Sequence, residues 1–231
     1  MATITTEAAL YRLLTWLSPG FPVGAFSYSH ALEAAVEAGT VADAPALAHW
    51  IEGILAFGAA SSDAIFLAET WRAVRAGDRA GFAAIAERSA AMRGTSELAL
   101  ESGAQGAAFA GVVATTWAVP ARGWLDELPR DQAVTYPIAV GLAAALAGFP
   151  LGASLTGYLQ AFAANLVSAG VRLVPLGQSD GQRVLARLEP AVARAATLAA
   201  ARGLDDIGTA SPAVDLLSMR HETQYTRLFR S

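Results

Sequence analysis

Two histidine–carboxylate pairs are the residues of this chain best suited to bind a metal ion. His30 and Glu33 are three positions apart and would share one helix face, and His221 is followed directly by Glu222. If the two ends of the chain met, two imidazoles and two carboxylates could surround one divalent ion, and imidazole suits nickel or zinc. The same spacing also allows simple hydrogen bonds and ion pairs, so both interpretations stay open.

Other common catalytic and binding devices are missing from the sequence. All 16 basic residues are Arg, so neither a Schiff-base lysine nor a phosphate-binding P-loop is possible. The chain has no Cys, which excludes disulfides, zinc–thiolate sites and a cysteine nucleophile. No G-x-S-x-G motif accompanies His30, His49 and His221, and no G-x-G-x-x-G motif follows a strand. A net charge of -4 argues against non-specific binding of nucleic acid.

The composition predicts an all-α protein. The 231 residues are 54% hydrophobic and 16% charged, enough to bury one sizeable core. Ala, the strongest helix former, is abundant, and alternating strand patterns are scarce. We expect a single-domain bundle of about eight to ten helices over residues 1–210, followed by a flexible C-terminal tail over residues 211–231.

The stretch from residue 132 to residue 171 contains no charged residue. A membrane-spanning helix needs about 20 predominantly apolar residues, but Pro137 and Pro150 interrupt this stretch. It therefore favours two helices buried in a core or dimer interface, and the alternative is a small integral membrane protein. The N-terminus lacks the pattern of a secretory signal, so we expect a cytoplasmic protein.

Residues 17–30, LSPGFPVGAFSYSH, interrupt the helical pattern most strongly. Pro19 and Pro22 remove two backbone donors, while Gly20 and Gly24 permit positive φ or close approach of another chain. The apolar residues in between need burial, and Ser and Tyr hydroxyls follow them. The segment is either a rigid connector whose aromatic rings fill the protein's own core, or a preformed contact loop for a partner.

The tail has a different composition from the helices before it. Residues 211–231 read SPAVDLLSMRHETQYTRLFRS, with Met, Tyr, Phe and three Arg, which are residue types enriched at protein interfaces. Terminal segments are commonly loose unless they are docked on something. We therefore expect the tail to be flexible in the free protein and to become ordered on a partner.

Two sequence motifs resemble those of a known family. Residues 16–33, WLSPGFPVGAFSYSHALE, closely resemble the N-terminal signature of the urease accessory protein F family (UreF). The tail resembles that family's C-terminal signature at residues 211–212, 218–222 (SMRHE) and 227–231 (RLFRS). The Ala-rich middle of the chain is similar only in general character.

The resemblance implies an all-helical, dimer-forming cytoplasmic protein with no enzymatic activity of its own. Its expected partners are the D-type (also called H-type) urease accessory protein, a G-type GTPase and apo-urease. The resemblance further implies that the chain bridges its partners, recruits and modulates the GTPase, and serves GTP-dependent nickel insertion into urease. No tightly bound cofactor is expected, and nickel would at most be in transit. The alternatives are the membrane protein above and a metal-dependent helical enzyme using His30, Glu33, His221 and Glu222.

Both motifs are therefore candidate partner-binding segments. Arg220 is expected to help engage the GTPase, and His30 and Glu33 could line an internal passage for nickel. The candidate partner-binding residues are Pro19, Phe21, Pro22, Gly24, Phe26, Ser27, Tyr28, His30, Glu33, Ser218, Met219, Arg220, His221, Glu222, Gln224, Tyr225, Arg227 and Phe229.

Overall fold

The computed structural model describes residues 6–231, and all regular structure within that range is helical. Two short 3₁₀ turns, Ala25–Ser27 and Leu204–Asp206, complete the fold. The α-helices are α1 Thr6–Trp16, α2 Leu32–Glu37, α3 Ala44–Phe57, α4 Ala59–Ala76, α5 Arg79–Ala91, α6 Ser96–Thr116, α7 Arg122–Leu125, α8 Tyr136–Leu146, α9 Leu151–Leu173, α10 Gln178–Ala201 and α11 Pro212–His221.

The predicted all-α, single-domain fold is confirmed. Of the eleven α-helices between residues 6 and 231, α2 and α7 have only 6 and 4 residues. The other nine agree with the predicted eight to ten helices.

Helices α4 and α8 form the centre of the bundle. Helix α4 packs against α3, α5, α8, α9 and α10, and α8 is buried along most of its length. Gly141 permits close approach of the two helices, because a Cβ at this position would lie 2.7 Å from the carbonyl oxygen of Leu67 in α4. Burial on all sides explains why α8 carries no charged residue.

The uncharged stretch forms α8 and most of α9. Helix α8 is buried as predicted, whereas α9 buries one face and exposes another. Over residues 6–231, no single helix combines the length and hydropathy of a membrane span. Only α3 and α4 taken together reach those values, and they are bent by 42° at the break between them.

Residues 17–31 connect α1 to α2 and pass through the protein's own core. Phe21 and Val23 are buried, and the Phe21 ring lies 5.2 Å from that of Phe109 in α6. Gly24 has a φ of 76°, in the left-handed region that favours glycine. Phe26, in contrast, is 67% exposed. The connector interpretation therefore describes the buried part of this segment, and the contact-loop interpretation stays a prediction for the exposed part.

The structure differs from the sequence prediction in the placement of residues 211–231. Helix α11 packs against α2 and α6. The following residues return across the connector, where Arg230 N donates to Ser27 O at 2.8 Å and Ser29 N donates to Ser231 O at 3.0 Å. The tail is docked in the structure, because its polar groups find buried partners that the linear sequence does not reveal.

Candidate functional site

The two motifs that stand out in the sequence form one surface in the structure. We call residues 16–33 the front segment, residues 211–231 the tail, and the two together the composite surface. Beyond the backbone hydrogen bonds between them, the hydroxyl of Ser29 donates to the carbonyl oxygen of Ser231. Two segments about 200 residues apart in the chain are thereby held side by side.

Glu33 is the main attachment point for the tail. Its side chain is only 8% exposed, and its carboxylate accepts hydrogen bonds from Leu228 N at 2.7 Å and Phe229 N at 2.9 Å. The same carboxylate lies 3.0 Å from Nε2 of His221. Hydrogen bonds to a charged acceptor are about twice as strong as neutral ones. Glu33 therefore fixes both the end of α11 and the irregular segment that follows it.

His221 lies fully buried between two carboxylates. Its Nδ1 is 2.8 Å from Oε2 of Glu97, on the side of the ring opposite Glu33. Each ring nitrogen therefore lies within hydrogen-bond distance of a carboxylate oxygen. Arg227 adds a guanidinium, with Nη1 2.9 Å from Oε1 of Glu97. The cluster thus joins two carboxylates to one imidazole and one guanidinium.

The start of α6 presents Glu97 to this cluster. Thr95 caps the helix by accepting a hydrogen bond from Leu98 N at 3.2 Å. Its hydroxyl also lies 2.7 Å from the hydroxyl of Ser218 in α11. The N-terminal turn of a helix favours a negative charge, which suits a buried glutamate at this position.

An arginine of α9 joins the front segment to the tail from the other side. The guanidinium of Arg172 lies 3.7 Å from the ring centre of Phe26 and 4.3 Å from that of Phe229. Its Nη1 also donates to the carbonyl oxygen of Phe26 at 3.0 Å. Burial lowers the pKa of Arg172 from its usual value. The stack orients Phe26, whose ring is exposed, and covers Phe229, whose ring is buried.

The four proposed metal ligands do not converge. His30 has a φ of 54° and precedes α2, which begins only at Leu32, so His30 and Glu33 do not share a helix face. His30 instead faces Glu101, while Glu222 accepts a hydrogen bond from the hydroxyl of Ser96 at 2.5 Å. Among the described residues, no group of three or more His, Asp or Glu side chains is arranged to hold a metal ion.

Comparison with known proteins identifies the family. A family model described as UreF matches residues 41–189. A protein named urease accessory protein UreF from Rhodopseudomonas palustris (strain HaA2) is 53% identical over 97% of this chain and 94% of its own length. The protein of the same name from Granulibacter bethesdensis is 51% identical over 98% of this chain and 96% of its own length.

The chain belongs to the UreF family. The resemblance predicted from the two motifs is confirmed. Membership of this family agrees with the prediction that the chain is an accessory protein and not an enzyme. As a member of the UreF family, the chain is expected to contact partners in urease maturation. The range 41–189 matched by the family model excludes both the front segment and the tail, so that match does not depend on the motifs that first suggested the family.

The predicted site residues of this UreF-family chain divide into two sets. The buried residues hold the composite surface together, and the exposed residues face outward from it; their binding of partners stays a prediction. The buried set is Phe21, Tyr28, His30, Glu33, Ser218, His221 and Phe229. The exposed set is Pro19, Pro22, Gly24, Phe26, Met219, Arg220, Glu222, Tyr225 and Arg227, with Ser27 and Gln224 half-buried.

Sequence reasoning missed three residues of the site, namely Glu97, Glu101 and Arg172. Glu97 and Glu101 precede Gln105 at a constant spacing of four in α6, which is otherwise rich in Ala and Gly. All three α6 residues are buried on one face. A polar stripe of this kind is the signal that could have indicated a buried network.

A second buried polar cluster lies deeper in the bundle. Arg93 Nη2 is 2.7 Å from Oδ1 of Asp63, and the hydroxyl of Tyr158 donates to Oδ2 of Asp63 at 3.0 Å. Burial acts to lower the pKa of Arg93, but the attraction of Asp63 outweighs it and the pKa is raised. Burial and then Asp63 raise the pKa of Tyr158 well above its usual value.

Two cavities adjoin this cluster, and a third, the groove, adjoins the inner of the two. The outer chamber, about 40 Å³, opens beside Met92 and Ser211. The inner chamber, about 20 Å³, lies between α4, α6 and α9. The groove, about 180 Å³, runs under the front segment. The outer and inner chambers share His30, Asp63, Arg93 and Leu98, and the inner chamber and the groove share Glu101, Gln105, Tyr136 and Phe162.

Proposed function

We propose that this chain is a scaffold for GTP-dependent nickel insertion into the active site of urease. In this role it bridges the D-type accessory protein and the G-type GTPase, modulates the GTPase and acts in the cytoplasm as a homodimer. The observation that carries the proposal is the composite surface, which has buried residues that lock two distant segments together and exposed residues that face solvent. Two large apolar side chains of this surface, Phe26 and Leu228, are 67% and 63% exposed.

The composite surface is the proposed contact for the D-type partner. Its exposed residues combine aromatic, Met and Arg side chains, the types that contribute most binding energy at protein interfaces. Removing residues 211–231 should therefore abolish capture of the D-type partner while the helical core stays folded. The point variant Tyr225→Ala should weaken capture without disturbing the buried cluster. Unchanged binding by both variants would refute this assignment.

Arg220 is the proposed contact for the GTPase. It is exposed on α11, and within the described residues its side chain has no ion pair. A guanidinium in this position can pair with a carboxylate or a phosphate on an incoming protein. Arg220→Ala should change GTP hydrolysis or assembly of the complex, and Arg194→Ala, an exposed arginine on α10, is the matched control. No change in either measurement would remove Arg220 from the proposal.

The three cavities support passage of nickel through the protein as cargo. Together they run from the N-terminal end of α11 to the front segment, and Glu101, Gln105 and His30 give them a partly polar lining. Glu33 is not part of this lining, because its carboxylate holds the tail. The positive charge of Arg93 opposes a divalent cation, and Asp63 and Glu101 offset it.

Gln105→Leu tests the passage, because it removes a polar lining group at similar volume. We expect slower transfer of nickel from the loaded GTPase to apo-urease with unchanged assembly of the complex. The control is Gln182→Leu, at an exposed position on α10. Nickel content and urease activity are the readouts, and equal transfer by both variants would contradict the passage. Deleting and restoring the gene for this chain in cells that express urease tests the function as a whole.

A further inference from the structure

His30 is buried with neither ring nitrogen hydrogen-bonded to the protein. The residue is 6% exposed, and the edge of its ring packs against Phe162 with centroids 5.2 Å apart. Its Nδ1 lies 3.5 Å from Oε2 of Glu101, which is longer than an ordinary hydrogen bond, and its Nε2 has no protein acceptor or donor. Buried polar groups in native proteins almost always have a partner, so the ring requires one.

The ring nitrogens adjoin space that suits a small polar ligand. His30 lines both the outer and the inner chamber, and Asp63 and Arg93 line the same two chambers. Asp63 Oδ1 is close to Arg93 but has no aligned hydrogen bond, so it also has capacity to accept one. A water molecule needs about 10–15 Å³ of such space and two to four polar partners. Cavities of about 40 and 20 Å³ meet that volume.

We propose that the two chambers bind ordered water molecules that bridge His30 to Asp63 and Glu101. Water is the ligand of choice because it can donate to a carboxylate oxygen and also donate to or accept from an imidazole nitrogen. A metal ion is not favoured, because no described group of His, Asp and Glu side chains has the required arrangement and Arg93 already neutralises Asp63.

The bound water links the core cluster to the tail. Glu101 accepts a hydrogen bond from the hydroxyl of Ser231 at 2.7 Å, and that hydroxyl is 3.4 Å from the backbone nitrogen of His30. A water between Glu101 and His30 therefore extends one hydrogen-bond network from Ser231 to the Asp63–Arg93 pair. His30 acts here as a positioning residue for the composite surface. This inference does not depend on the transport of nickel.

A crystal structure at high resolution and ¹⁷O magnetic relaxation dispersion test the proposal on the full-length wild-type chain. We expect density for at least one water within hydrogen-bond distance of a His30 ring nitrogen, and a population of long-lived internal water in solution. His30→Leu should lose at least one long-lived water, whereas His30→Gln, which keeps a donor and an acceptor, should retain it. His49→Leu is the control, because the His49 side chain is 86% exposed.

Two results would overturn the inference. One is an unchanged number of long-lived waters in a folded His30→Leu variant. The other is a wild-type crystal structure in which both His30 nitrogens bond directly to protein groups with no density in the chambers. If His30→Leu does not fold, the wild-type crystal structure decides the question alone.

Discussion

Replacing Glu33 by Ala should release the tail without unfolding the helical core. The substitution removes the acceptor for Leu228 N and Phe229 N and leaves His221 with a single carboxylate. The lost groups lie on the composite surface, whereas the centre of the bundle is formed by α4 and α8. We therefore expect local opening of the tail.

The size of the effect follows from the geometry of the carboxylate. Each hydrogen bond to a buried charged group contributes about 1.5–3 kcal/mol, and three such contacts share one side chain. Because contacts to a single group are not additive, we expect a loss of about 3–5 kcal/mol, which is less than the sum of three such contacts. Glu33→Gln keeps one oxygen acceptor and should lose less.

Hydrogen exchange of the Leu228 and Phe229 amides measures this loss directly. About 1.4 kcal/mol corresponds to a factor of ten, so the protection of these two amides should fall by about 100-fold or more. If the segment opens fully, their protection should fall to that of an unstructured chain. Amides of α8 should keep their protection. Glu37→Ala, at an exposed position of the same helix, is the matched control. Wild-type protection of both amides in Glu33→Ala would show that the carboxylate does not hold the tail.

Three further predictions concern the other buried charges and hydroxyls. Arg172→Met should expose Phe229 and make the tail sensitive to limited proteolysis, because the ring stack contributes about 1–2 kcal/mol. Asp63→Ala should lower the free energy of unfolding by about 3–5 kcal/mol in urea denaturation, because it leaves the Arg93 charge buried without its partner. The free energy of unfolding should fall as pH rises above about 10, because Tyr158 keeps its proton when folded and loses it when unfolded.

Each of these predictions has its own control. Arg183→Met changes an exposed arginine on α10 and should leave the tail resistant to protease. The double variant Asp63→Leu/Arg93→Met removes both charges and should be more stable than Asp63→Ala alone. Tyr158→Phe should flatten the decline at alkaline pH. Each contact is contradicted by a variant that behaves like wild type. The contradicting results are an unchanged rate of proteolysis for Arg172→Met, an unchanged free energy of unfolding for Asp63→Ala, and an unchanged pH profile for Tyr158→Phe.

The fold was largely predictable because it depends on local patterns. Ala-rich helical periodicity predicts the all-α class, and the uncharged stretch at residues 132–171 predicts buried helices. The prolines and glycines of the front segment predict the break between α1 and α2. The expectation that His30 and Glu33 share one helix face is wrong, because His30 and Ala31 adopt left-handed conformations that residue type does not indicate.

The candidate site was only half predictable, because its contacts are long-range. The sequence indicates that the front segment and the tail are unusual, but it does not show that they touch. Glu33 and His221 were considered as metal ligands, whereas Glu97 supplies the second carboxylate for His221 from 124 residues away. The docking of the tail was not predicted for the same reason, since the acceptors for its backbone nitrogens lie almost 200 residues earlier.

The distance along the chain between Glu33 and its hydrogen-bond donors has a consequence for biosynthesis. The amide of Phe229 lies 196 residues after Glu33, so the ribosome must synthesise nearly all of the helices before the hydrogen bond between these two residues can form. Prematurely terminated products can fold much of the bundle yet lack this hydrogen bond. Recognition that requires both segments would therefore distinguish chains in which Glu33 holds the tail from chains in which it does not.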